Sequence, residues 1–176
     1  TALAYTDVVD TTVYYRVSKA GYDTATGSVK VKITEAEIAG FEVKAADTAK
    51  FDGTEKTSAT VTVGVPADAK ITYKVGNDTF NAVPKFAEVG TYEVSYTISK
   101  AGYNDVTGSY TFTINNAPAS ALNVVAKGVE KVYDGAASAV SVTAIDGAKV
   151  EYSTDNQTWS TTAPSFTDVV DTTVYY

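Results

Sequence analysis

The sequence repeats itself at two distances, and this repetition constrains the fold more than any other feature. The ten residues at 6–15, TDVVDTTVYY, recur at 167–176, an offset of 161 residues, and 12 of 15 positions agree when the five preceding residues are included. A weaker repeat at an offset of 81 relates YRVSKAGY at 15–22 to YTISKAGY at 96–103. A fixed period of this size is typical of chains built from a repeated supersecondary unit. The sequence therefore predicts modules of about 80 residues.

The two repeat distances also indicate where the modules begin and end. Residues 1–37 match the second half of a module, residues 38–117 form one complete module, and residues 118–176 match the first part of a further one. We expect neither half to bury its apolar face alone, because an isolated hairpin is marginally stable at best in water. A segment equivalent to 16–37 should complete residues 118–176, either within a longer polypeptide or from a neighbouring copy.

The complete module alternates apolar and polar residues in several short segments, as between Tyr92 and Ile98. Such alternation places one face of a strand in a core and the other in water. Asp-Gly, Gly-Asn and Ala-Gly pairs, which favour turns, separate the segments. The predicted strands lie near 41–46, 58–64, 70–75, 79–81, 91–99 and 107–115. The positions predicted to be buried are Val43, Val61, Val63, Ile71, Tyr73, Tyr92, Val94, Tyr96, Ile98, Tyr110, Phe112 and Ile114. Helix is expected to be at most one turn, near Thr34–Ile38.

Six or seven short strands in a module of this length are typical of a small sandwich of two sheets. The predicted fold class is therefore all-β, with tandem immunoglobulin-like β-sandwich repeats of about 80 residues. The chain has no Cys, so the inter-sheet disulfide of antibody domains is absent and the likeness is one of architecture.

The composition argues against several classes of function. The chain contains no His and no Cys, which removes the common general base at neutral pH, thiolate nucleophiles and the usual zinc ligands. Its net charge of −7 disfavours nucleic acid, because binding a phosphate backbone needs Lys and Arg to displace counterions. No apolar run reaches the roughly 18 residues that a membrane span requires. We therefore expect no enzyme, no nucleic-acid partner and no membrane insertion in this segment.

Several short motifs together resemble a known bacterial family. They are Tyr/Phe-Asp-Gly at 51–53 and 133–135, Gly-Thr-Tyr-x-Val at 90–94, Ser-Lys-Ala-Gly-Tyr at 99–103 and Thr-Gly-Ser at 107–109. This set resembles the mostly-β YDG repeats, or MBG-type domains, over essentially the whole chain. The resemblance implies immunoglobulin-like stalk modules of very large surface and adhesin proteins, and it implies no catalytic residue.

The acidic residues that could bind a cation fall into small groups. These are Asp7 with Asp10, Asp168 with Asp171, Asp52 with Glu55, and Asp78. Calcium needs six or more oxygen ligands, and an Asp-x-x-Asp spacing within one strand points the two carboxylates to opposite faces. We interpret these residues as a solvated acidic surface, with a structural calcium at a module junction as the alternative. No catalytic, cofactor-binding or metal-binding residue is assigned.

An intramolecular isopeptide bond between adjacent strands is a second possibility. It would join Lys44 to Asn115 or Asn116 and would need Glu42 as a buried acid between them. The counterpart of Lys44 in the following module is Val125, so a link of this kind would be absent from a sister module. We therefore interpret these side chains as ordinary exposed polar residues.

Two asparagines and two aromatic residues complete the candidates. Asn77 and Asn156 both start an Asn-x-Thr glycosylation pattern, but a hairpin turn favours Asn at this position in any case. Tyr14 is expected on the face opposite to the core side of its strand, where it could meet a neighbouring module or a lateral partner. Trp159 aligns with Phe80 and is interpreted as a core residue rather than a ligand platform.

These features predict a structural or adhesive repeat segment of a secreted or cell-surface bacterial protein, either a stalk or an extracellular filament. The expected partners are neighbouring copies of the repeat, end to end or lateral, and a host or surface glycan or protein. The alternative is a carbohydrate-binding module of a secreted protein, which would need a row of exposed aromatic side chains on one face.

Overall fold

The computed structural model describes residues 3–176, so the first two positions of the predicted 1–37 segment lie outside the described residues. The described chain is built of strands, with one short 3-10 helix at Ala119–Leu122 and no α-helix. This confirms the all-β class. The chain divides into two compact units, of which the first ends at Asn116 and the second spans Ala117–Tyr176.

The first unit begins with a long antiparallel hairpin. Strand β1 (Val9–Val17) pairs with β2 (Ala25–Ile33) over nine residue pairs, from Val9 opposite Ile33 to Val17 opposite Ala25. The connecting loop contains Gly21 at a φ of +83°, a left-handed conformation that glycine adopts without steric cost. These two strands form a sheet of their own.

The remainder of the first unit contains eleven strands. They are β3 (Ala36–Glu37), β4 (Glu42–Ala45), β5 (Ala49–Lys50), β6 (Lys56–Thr57), β7 (Ala59–Thr62), β8 (Lys70–Val75), β9 (Asp78–Phe80), β10 (Lys85–Phe86), β11 (Gly90–Ser99), β12 (Tyr103–Asn104) and β13 (Val106–Asn115). Five of them form one sheet in the order β5-β13-β11-β8-β9, in which β5 is parallel to β13 and the other pairs are antiparallel. The pairs β4–β7 and β6–β10 are antiparallel and β3–β12 is parallel.

One face of the five-stranded sheet forms the core of the first unit. Val94, Ile98, Phe112 and Ile114 are at most 1% exposed, and Tyr73 is nearly as deeply buried. These residues alternate along β8, β11 and β13, because successive side chains of a strand point to opposite faces. Of the positions predicted to be buried, all except one are buried or half-buried.

One local prediction is wrong. Val63 is 62% exposed, because β7 ends at Thr62 and the alternation does not extend beyond the strand. Near 34–38, where at most one turn of helix was expected, the structure has a strand instead. The segment pairs as β3, and Ala36 donates its N–H to the Gly102 carbonyl at 2.9 Å.

The second unit contains only short strands. They are β14 (Val125–Lys127), β15 (Ser138–Ala139), β16 (Ser141–Thr143) and β17 (Ser165–Phe166), paired as β14–β16 and β15–β17. Single bridges join Tyr152 to Ser160 and Ser153 to Tyr175. Ser153 is the one residue of this unit that is buried, and no large apolar side chain of the unit reaches that level of burial.

Strand pairing recurs between the aligned parts of the chain. The register of β11 with β13, from Gly90 opposite Ile114 to Ile98 opposite Val106, is that of β1 with β2 shifted by 81 residues. In both hairpins a tyrosine ring lies over the glycine of the facing strand, so that a Cβ at Gly27 or Gly108 would collide with the ring. The pair β15–β17 likewise has the register of β6–β10, with Phe166 in the place of Phe86.

Candidate interaction surface

The hairpin β1–β2 exposes the face that its counterpart buries. Val94 and Ile98 of β11 are 0% and 1% exposed, whereas the equivalent Val13 is half-buried and Val17 is 61% exposed. On the facing strand, Val29 is 53% exposed. We call the inward positions of this hairpin, Val13, Tyr15, Val17, Val29, Val31 and Ile33, the hairpin face. It is an apolar strip on a two-stranded sheet whose outer edges pair with no other strand among residues 3–176.

The second unit contains an open groove. This cavity of about 570 Å³ is lined by parts of 126–142 and 166–176. Its apolar lining includes Val140, Val142 and Phe166. We call this cavity the groove.

In the first unit the matching space is filled by β11 and β13. The Phe86 ring stacks on Tyr92 with centroids 3.8 Å apart and lies 6.2 Å from the Phe112 ring. The side chain of Ser58, which is 0% exposed, donates to the Pro84 carbonyl at 2.7 Å.

The same Ser58 hydroxyl also lies 2.8 Å from the Tyr110 hydroxyl. A buried hydroxyl without partners would be costly, so these two groups satisfy each other inside the core. Burial is the main cause that raises the pKa of Tyr110, and the hydrogen bond to Ser58 opposes this shift. The pair is a polar contact between the residue that follows β6 and strand β13.

The groove has counterparts of Ser58 and Phe86, but the described residues of its unit provide none of β13. Val140 stands at the position of Ser58, and Phe166 stands at that of Phe86. The bridge between Ser153 and Tyr175 has the register of Lys74 with Ser95 in the first unit. The segment 167–176 therefore already occupies the place of β11, and the described residues of this unit provide no counterpart of β13.

The Asp-Gly turns account for two of the acidic residues. Asp52 accepts hydrogen bonds from the backbone N–H of Thr54 at 2.9 Å and from the Lys56 ammonium at 2.6 Å. Asp134 accepts one from the N–H of Ala136 at 3.0 Å, and a lysine pairs with it as well. The lysine hydrogen bond is the main cause that lowers the pKa of each carboxyl. These aspartates therefore stabilise turns.

The other acidic candidates are exposed and dispersed. Asp10 lies 3.0 Å from the Lys30 ammonium across the hairpin. Asp7, Glu55, Asp78, Asp168 and Asp171 are exposed. Within residues 3–176, no three acidic side chains come together in a way that could hold a metal ion. The structural calcium at a module junction stays a hypothesis.

The remaining polar candidates lie at the surface. Glu42, Lys44, Asn115 and Asn116 are all exposed, so the buried acid that an isopeptide bond needs is not provided here.

The two asparagines of the glycosylation pattern lie in turns. Asn77 occupies the two-residue loop between β8 and β9, after Gly76 with its φ of +56°. Asn156 has a φ of +57°, in a turn where the Asp155 carboxylate accepts the N–H groups of Gln157 and Thr158.

Both aromatic candidates are exposed, although exposure was expected only for Tyr14. Tyr14 is 80% exposed on the side of β1 opposite to the hairpin face. Trp159 is 43% exposed, so its interpretation as a core residue is wrong. Its counterpart Phe80 is 37% exposed because β9 is the edge strand of its sheet.

The sequence analysis did not identify the buried pair of Ser58 and Tyr110. Aligning these positions with their counterparts would have given the signal, because Val140 and Val29 stand there and both hydroxyls are lost together.

The chain matches no family model, no curated protein and no solved structure. No helix among residues 3–176 is long and apolar enough to cross a bilayer.

Proposed function

We propose that the chain is a structural repeat segment of a secreted or cell-surface bacterial protein, a stalk or extracellular filament built from tandem immunoglobulin-like sandwich modules. The proposal assigns it a structural and adhesive role rather than catalysis. The observation that carries it is the recurrence of one hairpin, with the same register and the same tyrosine over glycine, at a spacing of 81 residues.

Repetition at this spacing favours a spacer. In a repeat array each unit contacts mainly its neighbours, so length is gained by duplication without redesign of the fold. The identity of 6–15 with 167–176 fits duplication of a two-module unit. The carboxylates of Asp52 and Asp134 accept backbone N–H groups within their own turns. This supports a structural role for the motifs that resemble the MBG-type repeats.

The strand directions between residues 38 and 117 also favour resistance to a pulling force. The N–H of Phe51, which follows β5, donates to the Asn115 carbonyl of β13 at 2.8 Å, and the two strands are parallel. Strand β3 is parallel to β12 in the same way. When a strand near the N-terminal end and a parallel strand near the C-terminal end are pulled from opposite ends, their hydrogen bonds are sheared together rather than broken one at a time. This arrangement resists extension.

Single-molecule force spectroscopy tests the proposal. With handles at the two ends of the chain, we expect a discrete unfolding step that releases about 80 residues, or roughly 26–29 nm of extended chain. Gradual extension without a step would contradict the proposal.

A control pulls across one hairpin instead of along the whole chain. Because the chain has no Cys, handles can be attached through Ser95→Cys and Ser109→Cys, which face each other across β11 and β13. Pulling there opens the pairs one at a time and releases only the short chain between the handles, so we expect a shorter step at a clearly lower force.

A carbohydrate-binding module is the second candidate, and the exposure of Tyr14 and Tyr22 on the hairpin favours it. Exposed aromatic rings can stack on sugars through their apolar faces. Binding to a glycan array that is lost in Tyr14→Ser, with unchanged folding, would support this function over a purely mechanical one.

A further inference from the structure

We infer that Asn77 and Asn156 are acceptor sites for an N-linked sugar, one in each unit of the chain. The inference goes beyond the structural role and rests on the secreted or cell-surface location that the proposed function assigns. The Asn-x-Thr pattern occurs at 77–79 and again at 156–158. In secreted proteins this pattern marks acceptor asparagines in surface loops.

The two loops hold their asparagines in different backbone conformations. In the first loop the left-handed residue is Gly76, with a φ of +56°. In the second loop it is Asn156 itself, with a φ of +57°. A left-handed turn position is a reason for asparagine at Asn156, but Asn77 has a negative φ, so the same reason does not apply to it.

The loops also differ in length and in hydrogen bonding. The pair Tyr73–Phe80 closes the first loop and the pair Tyr152–Ser160 closes the second, which is one residue longer. The Asp155 carboxylate accepts two backbone N–H groups in the second loop, whereas a glycine stands at that position in the first. Despite these differences both loops have the asparagine, the threonine two residues later and an aromatic residue directly after it. The shared feature is therefore the Asn-x-Thr pattern and not one turn geometry.

Both tripeptides are accessible to an enzyme. All six residues at 77–79 and 156–158 are exposed. Strand β9, which begins at Asp78, is an edge strand of its sheet, so a sugar on Asn77 lies outside the core. Exposed loop tips of this kind tolerate added groups, because no packed side chain has to move.

An exposed aromatic ring follows each tripeptide. Phe80 is 37% exposed and Trp159 is 43% exposed, so each ring leaves apolar surface in water. Aromatic rings can stack on a sugar through their apolar faces. A sugar on the neighbouring asparagine is thus placed where it can cover this surface, which is favourable because it removes apolar area from water.

The modification transfers a sugar from an activated donor to the asparagine amide. The Nδ2 nitrogen attacks the anomeric carbon of a sugar that is activated as a diphosphate ester. A carbon–nitrogen bond forms, the carbon–oxygen bond to the diphosphate breaks, and the diphosphate leaves with the electron pair. The amide gives one proton to a base of the transferase, so the step needs no oxidant or reductant. The chain provides only the acceptor.

Peptide mapping of the chain isolated from the cells that produce it tests the inference. Cleavage after lysine releases residues 75–85 as one peptide, which contains Asn77 and also the exposed Asn81. Asn81 is an internal control, because valine and not threonine stands two residues after it. Electron-transfer fragmentation, which leaves the sugar attached, should place the sugar on Asn77 and show Asn81 unmodified. The peptide that contains Asn156 should carry the same sugar.

Two variants at one position separate the Asn-x-Thr pattern from the turn. Thr79→Val removes the hydroxyl and should abolish the sugar on Asn77, while the sugar on Asn156 remains as a control in the same chain. Thr79→Ser keeps the hydroxyl and should keep the sugar. Position 79 is exposed on an edge strand and valine is favoured in strands, so we expect both variants to fold, which their urea midpoints check.

The outcomes are distinct. A chain from its native source with both asparagines unmodified would overturn the inference. A sugar found on Asn81 or on the Thr79 hydroxyl, or one on Asn77 that survives Thr79→Val, would overturn it as well. If the sugars are absent while a stretched single chain still unfolds in a discrete step, the inference is wrong and the proposed structural function stands.

Discussion

Val94 and Val13 occupy the same register position in the two aligned hairpins, and their environments differ. Val94 is 0% exposed in the core of the first unit, whereas Val13 is half-buried on the hairpin face. Substitution of each by Ala therefore removes the same atoms from two environments. The comparison isolates the contribution of burial.

The expected magnitudes follow from the burial. Val94→Ala removes two methyl groups from a filled core, which costs about 1.5 kcal/mol of transfer free energy plus a cavity term, or roughly 2–3 kcal/mol in total. Val13→Ala should cost about 0.5–1 kcal/mol, because water already reaches that side chain. The stability of a domain of this size is roughly 5–10 kcal/mol, so the first loss is a large share of it.

The assay must resolve the two regions separately, because a chain with two units is not expected to unfold in one transition. Urea titration followed through individual backbone amide signals by NMR meets this need. With a slope of about 1–2 kcal/mol per molar urea, Val94→Ala should lower the midpoint of the β11 amides by about 1–3 M. Equal shifts for the two variants, or a shift below about 0.5 M for Val94→Ala, would refute the reasoning from burial.

Three further predictions concern groups with defined partners. Ser58→Ala should cost about 1–2 kcal/mol, because it leaves the Tyr110 hydroxyl without its buried partner, and Tyr110→Phe in the same chain should recover part of that loss. Asp52→Asn should lower the urea midpoint at pH 7, while the exposed Glu55→Gln should not. The lowered pKa of Asp52 means that its stabilisation is present above the ordinary aspartate value and is lost as the pH falls through the folded-state value. Gly102→Ala should cost about 1 kcal/mol, because its φ of +82° strains any residue with a Cβ.

Each of these predictions has a contrary outcome that thermal or urea unfolding would reveal. Additive losses for the two substitutions at Ser58 and Tyr110 would mean that the two hydroxyls do not interact. A difference between the Asp52 variant and the unchanged chain that is as large at pH 2 as at pH 7 would exclude ionisation of that carboxyl as its source. A stable Gly102→Ala chain would show that the loop adopts another conformation in solution.

The sequence by itself determined the six strands of three or more residues between 38 and 117, but not the four two-residue strands β5, β6, β10 and β12. Alternation between Tyr92 and Ile98 and between Tyr110 and Ile114 gave the buried side of β11 and β13, because a strand has a fixed period of two. The strand boundaries agree to within a few residues. Where the pattern failed, at Val63, the strand had already ended, and alternation alone does not show how far a strand extends.

Only the tertiary structure decided which segments meet. The parallel pairing of β3 with β12 and the contact of Ser58 with Tyr110 join residues far apart in the sequence, and no local pattern encodes such a pairing. Burial was decided in the same way. Val94 and Val13 lie at equivalent positions of the same alternating pattern, yet Val94 is in a core and Val13 is on an open face. Burial depends on the strands that pack against a sheet and not on the strand itself.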